Sequence, residues 1–147
     1  MIHFKIADEE DTHVVSQLLA ALFEEVGHTL TAEEIAGLFL QFDPDDHHST
    51  LLALDDDGDA VGVITLAESL GFYAGGRIGV INELYVVPEY RSEGVGKMLL
   101  DAAKNLADER GWARLEVTTP GEEYQKTLRF YEREGFFPIG PRYKYMV

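Results

Sequence analysis

Apolar and polar positions alternate from the first residues. Ile2, Phe4 and Ile6 are separated by His3 and Lys5, and this period of two predicts a strand. From residue 11 or 12 the period lengthens. Val14, Val15, Leu18, Leu19, Leu22, Phe23 and Val26 share one helical face, with Gly27 as a stop. Thr31-Ala32-Glu33-Glu34 has the form of a capping box. It opens a second helix carrying Ile35, Leu38, Phe39 and Phe42, and residues 43–48 read as a loop. Two β-like runs, 50–54 and 60–66, flank a hairpin turn over residues 55–59. A polar, Gly-rich stretch over 69–76 leads to a third run, 77–87, which Pro88 ends because it cannot donate a ladder hydrogen bond. A helix follows over 95–109 with Gly111 as its stop, then a strand over 115–118 and a helix over 122–134 before Gly135. The tail, 136–147, reads as one or two strands bent at Gly140-Pro141.

The order β-α-α-β-β-β-α-β-α-β, with room for one strand more, implies an α/β (α+β) fold. Antiparallel meander strands precede one strand–helix–strand unit, which calls for a mixed sheet with helices on both faces. At 147 residues the chain suits one domain over 1–147. No repeat, low-complexity tract or linker interrupts it.

Composition narrows the chemistry. The chain has no cysteine, so disulfides, thiolate metal sites and a cysteine acyl-enzyme are excluded. Residues 1–10 lack a basic region followed by an apolar one, and no apolar run approaches the ~20 residues of a membrane span. A cytoplasmic location and no membrane partner are therefore expected. Twelve basic and 27 acidic residues give a net charge of −15. Residues 1–60 hold one base and 15 acids, against 11 bases and 12 acids in the remainder. Such a half repels nucleic acid and attracts cations, including protonated amines.

The densest local signal is Val86-Val87-Pro88-Glu89-Tyr90-Arg91-Ser92-Glu93-Gly94-Val95-Gly96-Lys97. A strand ends, a turn with two glycines follows, and a helix starts at once. Glycine admits close approach to the backbone, and the first amides of the helix have no internal partners. With the helix dipole they make a site for phosphate or pyrophosphate, and Arg91 and Lys97 bracket it with charge. A P-loop would need Gly and Ser or Thr where Arg91 and Met98 stand, and a dinucleotide fingerprint would need Gly where Leu99 stands.

Arg91-x-x-Gly94-x-Gly96, after Tyr85-Val86-Val87-Pro88-Glu89-Tyr90, resembles the acetyl-CoA-binding motif of the GNAT superfamily of N-acetyltransferases. Thr127-Leu128-Arg129-Phe130-Tyr131-Glu132-Arg133-Glu134-Gly135-Phe136 is similar to the family's last helix, and the element order agrees over nearly the whole chain. The resemblance implies a GNAT-like acyl-CoA N-acyltransferase fold, its central sheet mixed and mostly antiparallel. It also implies acetyl-CoA as co-substrate, no metal, and a primary amine on a small molecule or protein as acceptor. A homodimer is one assembly it suggests.

By the same resemblance, the backbone around Tyr85, Val86 and Val87 would pair with the pantetheine arm where the strand splays from its neighbour through a bulge. The amides of Ser92, Glu93, Gly94, Val95, Gly96 and Lys97 would hold the pyrophosphate, with Arg91 adding charge. Tyr131 would be the general acid near the cofactor sulfur. Glu83 is the base candidate, acting directly or through water. It alternates in face with Asn82, and in relatives the acidic residue falls at either position. Tyr124 stands where the family often has an asparagine that contacts the cofactor. The expected reaction is acetyl transfer to a cationic amine by direct attack in a ternary complex. The alternative is a non-catalytic acyl-CoA-binding sensor or scaffold. Asp55 to Asp59 reads as a turn rather than a calcium loop, since Ala60 and Leu66 stand at the loop's sixth and twelfth positions. His47-His48 reads as surface loop, and Phe72-Tyr73 as aromatics near the acceptor or at a dimer contact.

Overall fold

The computed structural model describes residues 1–119, 121 and 124–147. Strands β1 (His3–Ile6), β2 (His48–Leu54), β3 (Ala60–Gly71), β4 (Gly76–Val86) and β5 (Arg114–Val117) form one sheet in the order β1-β2-β3-β4-β5. The first four pair antiparallel, and β5 runs parallel to β4. Parallel pairing needs a crossover, and helix α3 (Val95–Arg110) supplies it. Helices α1 (Thr12–Glu25) and α2 (Ala32–Phe42) come earlier, and α4 (Gln125–Arg133) follows β5.

The helices begin and end where local chemistry dictates. Thr31 and Glu34 form the reciprocal capping box, with the Glu34 amide donating to Thr31 Oγ1 at 3.1 Å. Gly111 takes the left-handed conformation that closes α3. In the β2–β3 hairpin the Asp55 carboxylate accepts from the amides of Asp57 and Asp59 at 3.0 and 2.9 Å. That carboxylate thus caps its own turn.

Alternation along the strands divides the core between the two faces of the sheet. Leu52, Val63 and Tyr85 pack with Val15, Leu18 and Leu19 of α1 and Ile35 and Phe39 of α2. Leu51, Ala53, Ile64 and Ile81 pack with Val95, Leu99, Leu100 and Ala103 of α3 and with Tyr131 of α4. Helices therefore cover both faces, as the element order requires. No helix among the described residues is long and apolar enough to cross a membrane.

Three expectations need adjustment. β3 runs five residues past Leu66, because β4 continues to accept its ladder as far as Gly71↔Gly76. The expected beginning of the last helix, at Glu122 and Glu123, lies outside the described residues; the helix as described starts at Gln125. The tail carries no strand. Tyr143 and Tyr145 do alternate with Arg142 and Lys144, yet residues 136–147 join no ladder. A period of two becomes a strand only where a neighbour takes up its N–H and C=O groups. Phe137, Tyr143, Tyr145 and Met146 are accordingly at least 77% exposed.

Candidate active site

The site begins with a register shift. Thr65 pairs with Glu83 but Leu66 pairs with Ile81, so Asn82 is the extra residue of a β-bulge in β4. Asn82 is exposed there and Glu83 is half-buried. The ladder between β4 and β5 ends nearby: its last pair is Ile81↔Val117. Among the described residues no strand pairs with β4 beyond that point on the β5 side. The strand thus separates from its neighbour beside a bulge, leaving an edge of main-chain groups.

The phase of the β3–β4 ladder shows which groups these are. The Val87 amide donates to the Val61 carbonyl at 2.9 Å, so residues of that parity turn toward β3. Tyr85 and Val87 thereby spend their main-chain groups on β3, whereas Leu84 and Val86 direct theirs to the open side. The Val86 carbonyl accepts there from Arg91 Nε at 2.9 Å. Of the expected trio Tyr85, Val86 and Val87, only Val86 turns its main-chain groups to the open side, and Leu84 joins it there. That parity is set by a ladder bond, which is not visible in the sequence.

At the end of β4, Pro88–Tyr90 form a short 3-10 turn that leads into α3. Gly94 is the cap of α3 at φ +78°, with open space around its α-carbon. Gly96 faces Phe130 of α4, whose ring would lie 3.3 Å from a β-carbon there. The first helical bond runs from the Met98 amide to the Gly94 carbonyl. The amides of Gly94, Val95, Gly96 and Lys97, with that of Ser92, have no partner among the described residues, and they cluster at a positive helix end. The Glu93 amide is already engaged, donating to the Tyr90 carbonyl at 3.2 Å. The Val95 side chain is core, 1% exposed.

The two cations differ. The Arg91 guanidinium remains at the mouth of the open edge, 5.3 Å from the Tyr85 ring centroid, and Nη2 lies 2.6 Å from Glu25 Oε2 on α1. Lys97 turns its ammonium along α3 to Asp101 at 2.9 Å. These donors suit the diphosphate of a cofactor, and the Leu84–Val86 edge suits its amide-bearing arm.

Glu83 and Tyr131 approach from opposite faces of the sheet. Glu83 shares the face of Tyr85. Burial pushes its carboxyl above the ordinary value, and a hydrogen bond from Thr65 partly offsets this. Tyr131 is 7% exposed and packs edge-on against Phe130 and Phe136, at 5.3 and 5.6 Å between ring centroids. Burial pushes its phenol up to about 12, so the hydroxyl keeps its proton throughout the neutral range.

On the Glu83 face, where β4 and β5 part, lies a cavity of about 560 Å³ bordered by Tyr73, Val80, Glu116, Thr118 and Arg142. Tyr73 thus borders this cavity, its hydroxyl 3.1 Å from Glu116, while Phe72 is fully exposed. His48 is the first residue of β2 rather than part of a loop, and Nδ1 of His47 lies 3.5 Å from Asp45. The Asp55, Asp57 and Asp59 carboxylates lie within 4.8 Å of one another, beyond β2 and away from this cavity.

Known proteins resemble this chain in sequence or in fold. An uncharacterized N-acetyltransferase of Bacillus subtilis is 32% identical over 101 residues, covering 69% of this chain and 67% of the relative. The aminoalkylphosphonate N-acetyltransferase of Salmonella typhimurium is 31% identical over 131 residues, covering 88% and 81%. An aminoglycoside N-acetyltransferase solved with CoA is 17% identical and shares the fold at a TM-score of 0.84, over 100% of this chain and 95% of that one. The family model for the acetyltransferase (GNAT) family matches residues 12–136, from the start of α1 through the Gly135-Phe136 pair. A match over so much of the chain, on a sheet that opens beside a glycine-capped helix, means that this protein belongs to the acetyltransferase (GNAT) family.

Proposed function

We propose that residues 1–147 act as one unit that transfers the acetyl group of acetyl-CoA to a primary amine by direct attack in a ternary complex. The observation that carries this reading is Glu83, a half-buried carboxylate at the bulge where β4 opens toward the missing neighbour. The main-chain groups of Leu84 and Val86 pair with the pantetheine arm. The free amides from Ser92 to Lys97, with Arg91, hold the pyrophosphate. Glu83 takes a proton from the ammonium of the acceptor, directly or through water. The amine nitrogen then bonds to the acetyl carbon, the carbon–sulfur bond breaks, and Tyr131 protonates the departing thiolate.

The acceptor is a cationic amine. Support comes from the 15 acids against one base in residues 1–60, which supply β1, β2 and the helices on the Glu83 face. Of two proteins similar to this chain, one is named for an aminoglycoside, a polycationic amine, and the other for an aminoalkylphosphonate, whose amine is offset by an anionic phosphonate. Their names support an amine acceptor, and only the first supports a cationic one. Steady-state turnover over a panel of cationic, neutral and acidic amines tests the assignment. Cationic amines are expected to lead in kcat/KM by about tenfold at low salt and to lose that lead at high salt. A preference for acidic amines would contradict it.

Glu25 competes with the cofactor for Arg91. Both side chains are more than two-fifths exposed, so their pairing is worth well under 1 kcal/mol. Glu25→Gln therefore tightens CoA binding about two- to threefold, measured by titration calorimetry. Unchanged affinity would separate Arg91 from the phosphates.

A further inference from the structure

We infer that Thr65 is a positioning residue for the Glu83 carboxylate, a role that rests on the reading of Glu83 as the base. Thr65 lies directly across from Glu83 in the β3–β4 register and is 2% exposed. Its hydroxyl contacts Glu83 twice. Oγ1 accepts from the Glu83 amide at 3.0 Å and donates to Glu83 Oε1 in a short hydrogen bond.

The double contact follows from the bulge. At Asn82 the regular ladder slips, and the amide next in line, that of Glu83, turns to a side-chain oxygen instead. A threonine hydroxyl has one hydrogen, and here it goes to the carboxylate. The group therefore binds the proton-accepting form of Glu83, and it fixes χ angles that an exposed glutamate would sample freely. Oε2 has no partner among the described residues and is left to receive the proton of the acceptor. Serine at this position would keep the hydroxyl but not the branched, stiff χ1 that aims it. Burial and the Thr65 hydroxyl are the two causes that shift Glu83, and no charged neighbour on α1, α2, β2 or β3 adds to them. Farther along β4 on the same face, Tyr85 is held up mainly by burial, with Glu25 and Arg91 acting on it in opposite senses.

One rung farther, Thr50 of β2 pairs with Thr65 and provides an internal control. It is 3% exposed, and its hydroxyl has no hydrogen-bond partner among the described residues. Thr50→Val thus repeats the same chemical change in the same row without touching Glu83.

The experiment compares Thr65→Val, Thr65→Ser and Thr50→Val with the native chain, measuring the pH dependence of kcat and the NMR titration of the Glu83 carboxyl carbon. Thr65→Val is expected to lower kcat about 10- to 100-fold with KM little changed. It should also move the acidic limb, and the Glu83 titration, to higher pH. Thr65→Ser should restore most of kcat, and Thr50→Val should leave both readouts in place. A Glu83 titration unmoved in Thr65→Val would overturn the inference. Because the NMR titration does not require turnover, it decides the role of Thr65 even if no amine is acetylated, an outcome that would count instead against the proposed reaction.

Discussion

Glu83→Gln lowers kcat by about 10²- to 10⁴-fold, the usual worth of a positioned general base, while CoA binding stays within twofold. The affinity is spared because, in the proposed reading, the cofactor is held by the Leu84–Val86 edge and the α3 cap and not by this carboxylate. The same substitution stabilises the fold at neutral pH. Burial raises the Glu83 pKa above the value of 4.5 it has when unfolded. Its stabilising contribution is therefore complete below that value and is lost as pH rises through the folded-state pKa. A neutral amide escapes this loss. Thermal unfolding should show a Tm gain for Glu83→Gln at pH 7 that shrinks toward pH 4. Tyr131→Phe gives the complementary result. It keeps the ring that packs on Phe130 and Phe136 but removes the acid, so kcat falls by about 10²-fold with little change in Tm. Unchanged acetylation in both variants, with CoA still bound, would remove these side chains from the chemistry.

Gly94→Val weakens CoA binding by tenfold or more. Space is not the cause, since a β-carbon there would have nothing within 4 Å. The cause is φ +78° at the cap of α3, a conformation that costs a β-branched residue about 1–3 kcal/mol. Relief of that strain turns the cap, and with it the free amides proposed to hold the phosphates. Gly94→Asn, which enters the left-handed region more easily, should lose far less. Calorimetric titration with CoA checks both, and equal affinity in the valine variant would show that these amides do not hold the cofactor.

The glycine turn before α3 is the most legible part of the candidate site. Its glycines, helix start and positive φ are local properties, and Gly94-Val95-Gly96 displays them in order. Glu83 could be named as a candidate but not chosen over Asn82, because the choice of face depends on the bulge. Thr65 and Glu25 gave no signal at all. Thr65 is 18 residues from Glu83 and Glu25 is 66 from Arg91, and neither spacing has a periodic or motif signature. The tail shows the converse failure, a strand pattern without a ladder to join.

The sequence by itself determined the helices and five of the expected strands, how their apolar faces divide, and that a turn with two glycines opens α3. These features arise from interactions within a few residues: side-chain period, caps and left-handed glycines. Only the tertiary structure decided that β4 slips at Asn82, that Glu83 faces Thr65, that Leu84 and Val86 point to the open side, and that Glu25 holds Arg91. Register between distant strands and packing between helices fix those contacts, and both follow from the minimum of the whole chain's energy rather than from any one segment.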